Sequence, residues 1–377
     1  MKILLFDMDG VLLESHGYHL ALQETVRYMA KALGFEDLSL SADDIATFEA
    51  GGITNEWDEA AISTALLLEE VWKNDPKRTL PETLLTPKTA SRNPQPAPDF
   101  NALARRLSSS DLRYLHPLER AIYLFTETDH FSKAQYQILH NLLEGAHDPQ
   151  CSLTHRIFQE LVLGSTEYAY TYSLPAMLEC ESYLLKHDIS NLSRAESARL
   201  RDWISSPGHA ATVITSRPSC PPAGAFSTPE AELGATLVGL KDIPIVGWGG
   251  ITWLAQQLKA DQHIFGKPSP VHALAALRVS LGDKQETALM EAANLVETGQ
   301  GAPTWQRLDG AQVCMYEDTP GGIKSLQDAQ EILEKMGIYI KTSYFGIAWK
   351  PVKRKALLAH KAQVFPSLAQ ALNLSIL

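Results

Sequence analysis

Short apolar runs that alternate with helical patterns are the main feature of this chain, at its beginning and again in its second half. Residues 2–6 (KILLF) form a continuous run of the kind that suits a strand buried on both faces, as in a parallel sheet. From about residue 195, strand candidates alternate with helices; they are 210–216, 243–248, 263–266, 312–316, 339–349 and 362–365. This order predicts an α/β fold with a doubly wound parallel sheet.

Helical periodicity dominates the region between the first strand and the later ones. Residues 16–33 carry apolar positions at helical spacing, Ser41 with Asp44 matches a capping box, and Asn55 predicts the cap of a third helix. Further helices are predicted at 102–107, 119–127, 133–145, 155–164 and 176–185. Prolines interrupt the pattern at about 75–98, which predicts an extended loop or a linker.

The simplest architecture is a sheet domain into which a helical domain is inserted after the first strand. We predict a core domain from residues 1–14 and 196–377 and a helical domain from residues 15–195, which includes the proline-rich loop. A second, shorter insert is expected at about 220–260, between later strands. A chain of 377 residues commonly divides into two domains, each with its own core.

Composition and charge narrow the classes of partner. The chain is 45% hydrophobic and carries 33 basic and 44 acidic residues, which gives a formal net charge of −11. Such a chain repels nucleic acid and anionic membranes, so neither is expected as a partner. It also repels a phosphorylated substrate at long range, so a phosphate site needs a local concentration of donors and cations. The sequence leaves the oligomeric state open.

The cellular compartment is inferred from the expected absence of membrane-spanning and signal segments and from the spacing of the cysteines. No apolar run reaches the length of a membrane span, and the N-terminus lacks the pattern of a signal peptide. The cysteines lie far apart and without CxxC spacing, which disfavours a metal clip; they are Cys151, Cys180, Cys220 and Cys314. We therefore expect buried, reduced thiols in a cytoplasmic protein.

Four polar clusters follow strand candidates and carry the candidate chemistry. They are Asp7–Gly10, Thr215–Arg217, Gly266–Pro268 and Glu317–Thr319. Because the carboxyl ends of parallel strands meet at one edge of a sheet, all four can converge. A carboxylate can accept a phosphoryl group, and a second carboxylate can act as general acid and base. Magnesium prefers oxygen ligands, and a lysine with a hydroxyl stabilises the phosphoryl oxygens.

Taken in order, these segments resemble the four motifs of the haloacid dehalogenase (HAD) superfamily: FDMDGV, ITS, GKPSP and YEDTPGG. The resemblance is to the branch that carries a helical cap after the first motif, which includes β-phosphoglucomutase-like and phosphoglycolate-phosphatase-like enzymes. Glu14, Ser15 and His19 in DGVLLESHGYH, and the closing segment of the chain, are similar to that branch. Each motif is weak alone, but the ordered set is a strong signal.

The resemblance implies catalytic roles for particular residues of this chain. Asp7 would be the covalent nucleophile and Asp9 the general acid and base. Thr215 would bind phosphate through its hydroxyl, with Ser216 as the alternative hydroxyl. Lys267 would hold the phosphate and the nucleophile together.

The resemblance also implies a Mg²⁺ cofactor. Asp318 would ligate the metal together with Asp7 and the backbone carbonyl of Asp9. Glu317 would be a direct or water-mediated neighbour of the metal. Ordinary readings of these residues are a polar turn at a strand end and, for Asp318, the cap of the following helix.

Substrate contacts are predicted in two places. Arg217 would meet the substrate or lie at the surface as an ordinary charged residue. Thr54, Asn55 and Trp57 are specificity candidates, because the corresponding cap segment of this branch often faces the active site; the other reading is a plain helix cap with a core tryptophan. His19 is expected to pack at the hinge of the cap. Residues 80–150 have no counterpart in the branch, so the enlarged cap could cover the site, form a dimer interface or bind a partner.

The predicted function is a Mg²⁺-dependent phosphatase that hydrolyses a small phosphorylated metabolite. A phosphomutase of the β-phosphoglucomutase type is the alternative, since it uses the same aspartyl-phosphate. A non-catalytic interaction protein is a third hypothesis, and the complete set of candidate residues argues against it. A dehalogenase is disfavoured because that chemistry needs neither Asp9 nor magnesium.

Overall fold

The computed structural model describes residues 1–80, 96–112, 114–127 and 131–376. The chain divides into two compact units: unit 1 is Met1–Ser15 with Asp188–Leu377, and unit 2 is His16–His187. Residues 188–195, which the sequence assigned to the inserted helical domain, belong to unit 1. Of the predicted proline-rich loop at 75–98, residues 81–95 lie outside the described residues, and the rest contains neither helix nor strand.

All strands assigned in the described residues lie in unit 1. They are β1 (Lys2–Phe6), β2 (Leu13–Glu14), β3 (Ile189–Ser190), β4 (His209–Ile214), β5 (Ile245–Val246), β6 (Gln312–Glu317), β7 (Lys341–Ile347) and β8 (Gln363–Phe365). Six of them form one sheet in the order β5-β4-β1-β6-β7-β8, and every pair in it is parallel. The predicted α/β fold with a parallel sheet is confirmed.

Strand β1 lies in the middle of the sheet because its residues are apolar on both faces. Ile3 and Leu5 belong to the hydrophobic core on one face, and Leu4 and Phe6 belong to the core on the other. Alternate side chains of a strand point to opposite faces, so helices must cover both. Phe6 pairs with Val213 of β4 and with Tyr316 of β6, which fixes the register around the end of β1.

Unit 2 contains helices and no strand among its described residues. Its helices are α1 (Gly17–Leu33), α2 (Ala42–Ala50), α3 (Glu56–Trp72), α4 (Phe100–Leu107), α5 (Pro117–Thr126), α6 (Lys133–Glu144), α7 (Leu153–Leu163), α8 (Ser165–Tyr172) and α9 (Tyr183–His187), with a 3₁₀ turn at Ser110–Leu112. Helices α1, α3 and α7 pack on one another at its centre. The predicted capping box of Ser41 with Asp44 and the predicted cap at Asn55 are both confirmed.

The helices of unit 1 follow the strands and cover the sheet. They are α10 (Arg194–Ile204), α11 (Glu230–Val238), α12 (Trp248–Leu258), α13 (Pro270–Ser280), α14 (Gln285–Thr298), α15 (Pro320–Lys335), α16 (Pro351–Ala359) and α17 (Leu368–Ser375), with 3₁₀ helices at Gln262–Ile264 and Pro303–Leu308. Helices α12 to α15 supply the core on the Ile3 face, and α10, α11 and α17 supply the core on the Leu4 face.

A short antiparallel ribbon joins the two places where the chain leaves and re-enters unit 1. Leu13 of β2 pairs with Ser190 of β3, and Glu14 pairs with Ile189. Asn191 adds a side-chain hydrogen bond of 3.0 Å from its Nδ2 to the carbonyl oxygen of Val11. The chain between the two ribbon strands forms unit 2. The ribbon therefore holds the residues before and after that insertion next to each other within unit 1.

The predicted strand at 263–266 is wrong. Gln262–Ile264 is a 3₁₀ helix whose first turn is capped by Asp261, since its Oδ1 accepts a hydrogen bond of 2.9 Å from the backbone N–H of His263. The apolar run is too short to fill a place in the sheet, and Ile264 is 58% exposed. Local capping therefore determines the backbone here.

The predicted helix at 176–185 is also wrong over most of its length, since helix begins only at Tyr183. The expectation of buried thiols holds for Cys314, whereas Cys151 and Cys220 are exposed; no disulfide joins any of the cysteines. Among the described residues, no helix combines the length and apolarity that crossing a bilayer would require.

Candidate active site

Three carboxylates meet where β1 and β6 end. Asp7 follows β1, and Glu317 and Asp318 lie at the end of β6, whose register pairs Phe6 with Tyr316. All three side chains are buried, and one carboxylate oxygen from each lies within 4.8 Å of the others. Adjacent parallel strands thus place the acids side by side, as their positions directly after two strand candidates predicted.

Lys267 lies between two of these acids. Its Nζ is 2.7 Å from Asp7 Oδ1 and 2.5 Å from Glu317 Oε1, and its side chain is 8% exposed. The lysine comes from the loop before α13, which is fixed to α15 because Ser325 Oγ donates a 2.6 Å hydrogen bond to the carbonyl oxygen of Ser269. Burial alone would lower the pKa of Lys267, but the charges of Asp7 and Glu317 raise it, so the side chain is a cation.

Lys267 does not fully compensate the burial and mutual repulsion of Asp7 and Glu317. Burial raises the pKa of Asp7, and Lys267 opposes that rise. Burial and the neighbouring charge of Asp7 raise the pKa of Glu317 to about 8. A bound cation would relieve this repulsion, and three carboxylate oxygens are a donor set that suits hard cations such as Mg²⁺ or Ca²⁺. Asp7, Glu317 and Asp318 are therefore the residues that could hold a metal ion.

Two glycines give the acids their space. A Cβ at Gly10, whose φ is +76°, would lie 2.4 Å from Asp318 Oδ2. A Cβ at Gly322, in the first turn of α15, would lie 1.7 Å from Glu317 Oε1. Both distances are shorter than any real carbon–oxygen contact, so the positions of Glu317 and Asp318 depend on the absence of these side chains.

Asp9 belongs to a second cluster centred on Arg217. Nε of Arg217 is 2.9 Å from both carboxylate oxygens of Asp9, and its Nη2 is 2.6 Å from Asp9 Oδ1. The hydroxyl of Ser15 also donates to Asp9, and Arg217 Nη2 lies 2.8 Å from Asp188 Oδ2. Burial alone would raise the pKa of Asp9, but the Arg217 charge and these hydrogen bonds outweigh it and hold that pKa below its ordinary value.

The two candidate hydroxyls after β4 differ in exposure. Thr215 is fully buried, and its Oγ1 accepts a 3.1 Å hydrogen bond from the backbone N–H of Arg217. Ser216 is exposed. This hydrogen bond stabilises the turn that directs Arg217 toward Asp9. The Thr215 hydroxyl is therefore already bonded to the backbone in this arrangement. Which hydroxyl meets a phosphate stays a prediction.

Lys353 and Asp188 are site residues that the sequence analysis did not single out. Lys353, in the first turn of α16, forms an ion pair with Asp318 Oδ2. Its signal was available as the basic run 350–355, which directly follows a predicted strand. Asp188 carried no such signal, because it is an isolated acid far from every motif and reaches Arg217 only through the fold.

The remaining candidates lie in unit 2. The side chain of Asn55 caps α3 by accepting from the N–H of Trp57 at 2.9 Å, and Thr54 is exposed. Trp57 Nε1 donates to Gln159 Oε1 at 3.1 Å. His19 lies 3.2 Å from Glu49. These are contacts within unit 2, and a role of Thr54 or Asn55 toward a substrate stays a prediction.

Comparison with known proteins gives the fold alone. No family model matches the chain, and no curated protein sequence matches it. Among solved structures, the chain is similar to an X-ray structure of a target of the Northeast Structural Genomics Consortium. The TM-score is 0.65 at 17% identity, and the match covers 100% of this chain and 99% of the other.

Proposed function

We propose that this chain is a Mg²⁺-dependent phosphatase of the HAD superfamily, which hydrolyses a small phosphorylated metabolite through an aspartyl-phosphate on Asp7. The observation that carries the proposal is the position of Asp7 at the end of the central strand, 2.7 Å from Lys267 and beside Glu317 and Asp318. A buried carboxylate, a fixed ammonium and two further acids are the parts that phosphoryl transfer to a carboxylate needs.

Asp7 would attack the phosphorus atom, so that an Asp7 oxygen–phosphorus bond forms as the bond to the leaving oxygen breaks. Lys267 would stabilise the charge on the phosphoryl oxygens, since its Nζ already touches the nucleophile. Water would then attack the phosphorus atom, and Asp7 would leave as a carboxylate.

Asp9 would give a proton to the leaving oxygen and later take one from the attacking water. The pairing with Arg217 favours the carboxylate form of Asp9, which is the form that activates water. To act as an acid in the first step, Asp9 must therefore exchange Arg217 for a proton. Thr215 or Ser216 would add a hydroxyl donor toward the phosphate.

Asp7 and Asp318 would hold the magnesium ion, with Glu317 as its neighbour and the Asp9 carbonyl as a further ligand. The ion, when bound, supplies the positive charge that reduces repulsion between Asp7 and the substrate phosphate. The all-oxygen donor set and the shortage of positive charge around Asp7 and Glu317 support this assignment.

Unit 2 would be the helical cap of this branch, since it follows the first strand in sequence and its described residues are helical. Thr54 and Asn55 would then contribute to substrate selection, because they precede α3 in that unit. Caps of this kind exclude bulk water and select a substrate by shape, which is why we propose a small metabolite as the substrate.

The test is hydrolysis of p-nitrophenyl phosphate with and without Mg²⁺, by the wild type, Asp7→Asn and the control Asp202→Asn. Asp202 is an exposed acid on α10 and has no place in the site. Activity that requires Mg²⁺, disappears in Asp7→Asn and persists in Asp202→Asn would support the proposal, and a panel of phosphometabolites would follow.

A panel without phosphate release, by a protein that binds Mg²⁺, would overturn the phosphatase assignment. A stable phosphoenzyme on Asp7, formed with a sugar phosphate, would then favour the phosphomutase. If neither release nor a phosphoenzyme is found, a non-catalytic role becomes the better hypothesis.

A further inference from the structure

Lys353 is a second cation that contacts the carboxylate cluster, in addition to Lys267. Its Nζ donates to Oδ2 of Asp318; the Lys353 side chain is 48% exposed, whereas that of Asp318 is 10% exposed. Lys353 therefore covers the solvent-facing part of an otherwise buried acid. Lys267 pairs with Asp7 and Glu317, whereas Lys353 pairs with Asp318.

The ion pair concerns one of the three candidate metal ligands. A carboxylate oxygen that accepts from an ammonium group is surrounded by positive charge, and a divalent cation at the same carboxylate is repelled by it. One oxygen each of Asp7, Glu317 and Asp318 lies within 4.8 Å of the others while Lys353 is paired with Asp318 Oδ2, so a metal ion at these oxygens would share the Asp318 carboxylate with the ammonium group. Lysine and metal thus compete for the negative charge of one carboxylate.

We propose that Lys353 is a positioning residue that competes with the divalent cation for Asp318. It neutralises Asp318 and keeps the carboxylate in place. A bound metal has to displace Lys353 or tolerate its charge on the same carboxylate, so the ion pair lowers the affinity of the site for metal. The inference rests on the metal site of the proposed function, and it adds a residue that no part of that function requires.

The lysine side chain is suited to this exchange. It is a long, flexible stem with a strongly hydrated head, and its half-exposed position lets the ammonium group move into water without crossing the core. The consequence is a site whose occupancy responds to the metal concentration over a range that Lys353 sets.

The experiment is calorimetric titration of Mg²⁺, repeated with Mn²⁺, into the metal-free full chain at constant ionic strength. The variants are Lys353→Met, Lys353→Arg, Asp318→Asn and the control Lys355→Met, which removes an exposed lysine from the same helix. We expect Lys353→Met to lower the metal Kd about fivefold to tenfold, which is the lower end of ordinary coupling between two binding events. Lys353→Arg, which keeps a cation, and Lys355→Met should stay close to the wild type.

The outcomes separate this inference from the proposed function. If Asp318→Asn abolishes metal binding while Lys353→Met leaves the Kd unchanged or raises it, the metal site stands and the competition is refuted. If Asp318→Asn binds metal as the wild type does, or no variant binds metal, the metal site fails and the inference fails with it. Binding by Lys353→Met in the absence of measurable wild-type binding would support the competition most directly. Thermal melting of each variant checks that it is folded.

Discussion

Arg217 holds Asp9 and Asp188 in one ion-pair network in unit 1. Its Nη2 lies 2.6 Å from Asp9 Oδ1 and 2.8 Å from Asp188 Oδ2, and the Arg217 and Asp188 side chains are 2% and 0% exposed. Arg217 was predicted either to meet the substrate or to lie at the surface. Its side chain is buried and pairs with Asp9 and Asp188, so the surface reading is wrong, and a contact with a substrate stays a prediction. Its first role is thus to neutralise two acids, one of which is buried.

Arg217→Met should lower the free energy of unfolding by about 3–5 kcal/mol, because it removes the guanidinium from a buried carboxylate. The double variant Arg217→Met with Asp188→Asn should recover part of that loss, since no charge is then left in the place of the buried pair. Chemical denaturation of the wild type, both single variants and the double variant measures the coupling. Additive losses in the double variant would show that Arg217 and Asp188 do not depend on each other.

Gly322→Ala should displace Glu317, because the new Cβ would lie 1.7 Å from Glu317 Oε1 in the present arrangement. Glu317 is fully buried and bonded to Lys267, so the whole side chain has to move. We expect a loss of stability of about 1–3 kcal/mol, the usual range for overpacking. If the proposed function is right, phosphatase activity falls in parallel.

The neighbouring glycine provides a matched control for this prediction. A Cβ at Gly321 would lie 3.9 Å from Lys267 Cβ, which is an ordinary contact, and both glycines are in the first turn of α15. Gly321→Ala should therefore melt within a degree or two of the wild type and should keep its activity. Equal effects of the two substitutions would mean that helix backbone, and not the space around Glu317, determines the result.

The sequence predicted those parts of the fold that short-range pattern determines. Strands β1 and β6 were recognised because they are apolar throughout, which is what burial on both faces of a parallel sheet requires. Asp7, Glu317 and Asp318 were predicted with these strands, since each lies at or directly after a strand end. The pairing of β1 with β6 is enough to bring the three carboxylates together.

The missed features depend on contacts between distant parts of the chain. Asp188 and Arg217 are brought together by the fold of unit 1 and not by their spacing. Lys353 reaches Asp318 because β7 pairs with β6; the basic run 350–355 marked a cationic segment after a predicted strand, but it did not show which strand that one would pair with. Lys267 was predicted near the site, but the strand expected before it is a 3₁₀ helix, so a loop and not a strand end delivers it.

Glu160 anchors the segment before Tyr183, where the predicted helix at 176–185 does not form. Its fully buried carboxylate accepts hydrogen bonds from the backbone N–H groups of Met177 at 2.8 Å and Leu178 at 2.7 Å, and from Ser165 Oγ at 2.7 Å. These bonds give the buried carboxylate its donors and hold the backbone at Met177 and Leu178, so a residue on α7 anchors a later segment of the chain.

Glu160→Gln should loosen this segment, because it replaces charge-assisted bonds with weaker neutral ones and offers one acceptor oxygen in place of two. With a loss of about 2 kcal/mol, the amides of Met177 and Leu178 should exchange with solvent roughly thirtyfold faster. Hydrogen exchange read by mass spectrometry or NMR measures this. Glu179→Gln, an exposed position in the same segment, is the control and should leave exchange unchanged. Unaltered protection in Glu160→Gln would refute the anchoring role.

Glu59 makes the stability of unit 2 depend on pH. Its side chain on α3 is 1% exposed, and burial, followed by the charges of Glu56, Glu49 and Asp58, raises its pKa from 4.5 to about 9. The folded state therefore keeps a proton that the unfolded state releases near pH 4.5. Stability from this carboxyl is fully present below that pH and is lost progressively as the pH rises toward 9.

Glu59→Gln should remove that loss, because an amide stays neutral at every pH. The variant and the wild type should be nearly equally stable at pH 5. At pH 8 the variant should be more stable by about 4 kcal/mol, because only the folded state stays protonated over the three pH units between them and each unit is worth about 1.4 kcal/mol. Denaturation curves at pH 5, 6.5 and 8 measure the difference, and Glu36→Gln, at an exposed position in the same unit, is the control. A difference that does not grow with pH would mean that Glu59 is already ionised in the folded protein, with a positive partner that compensates its burial.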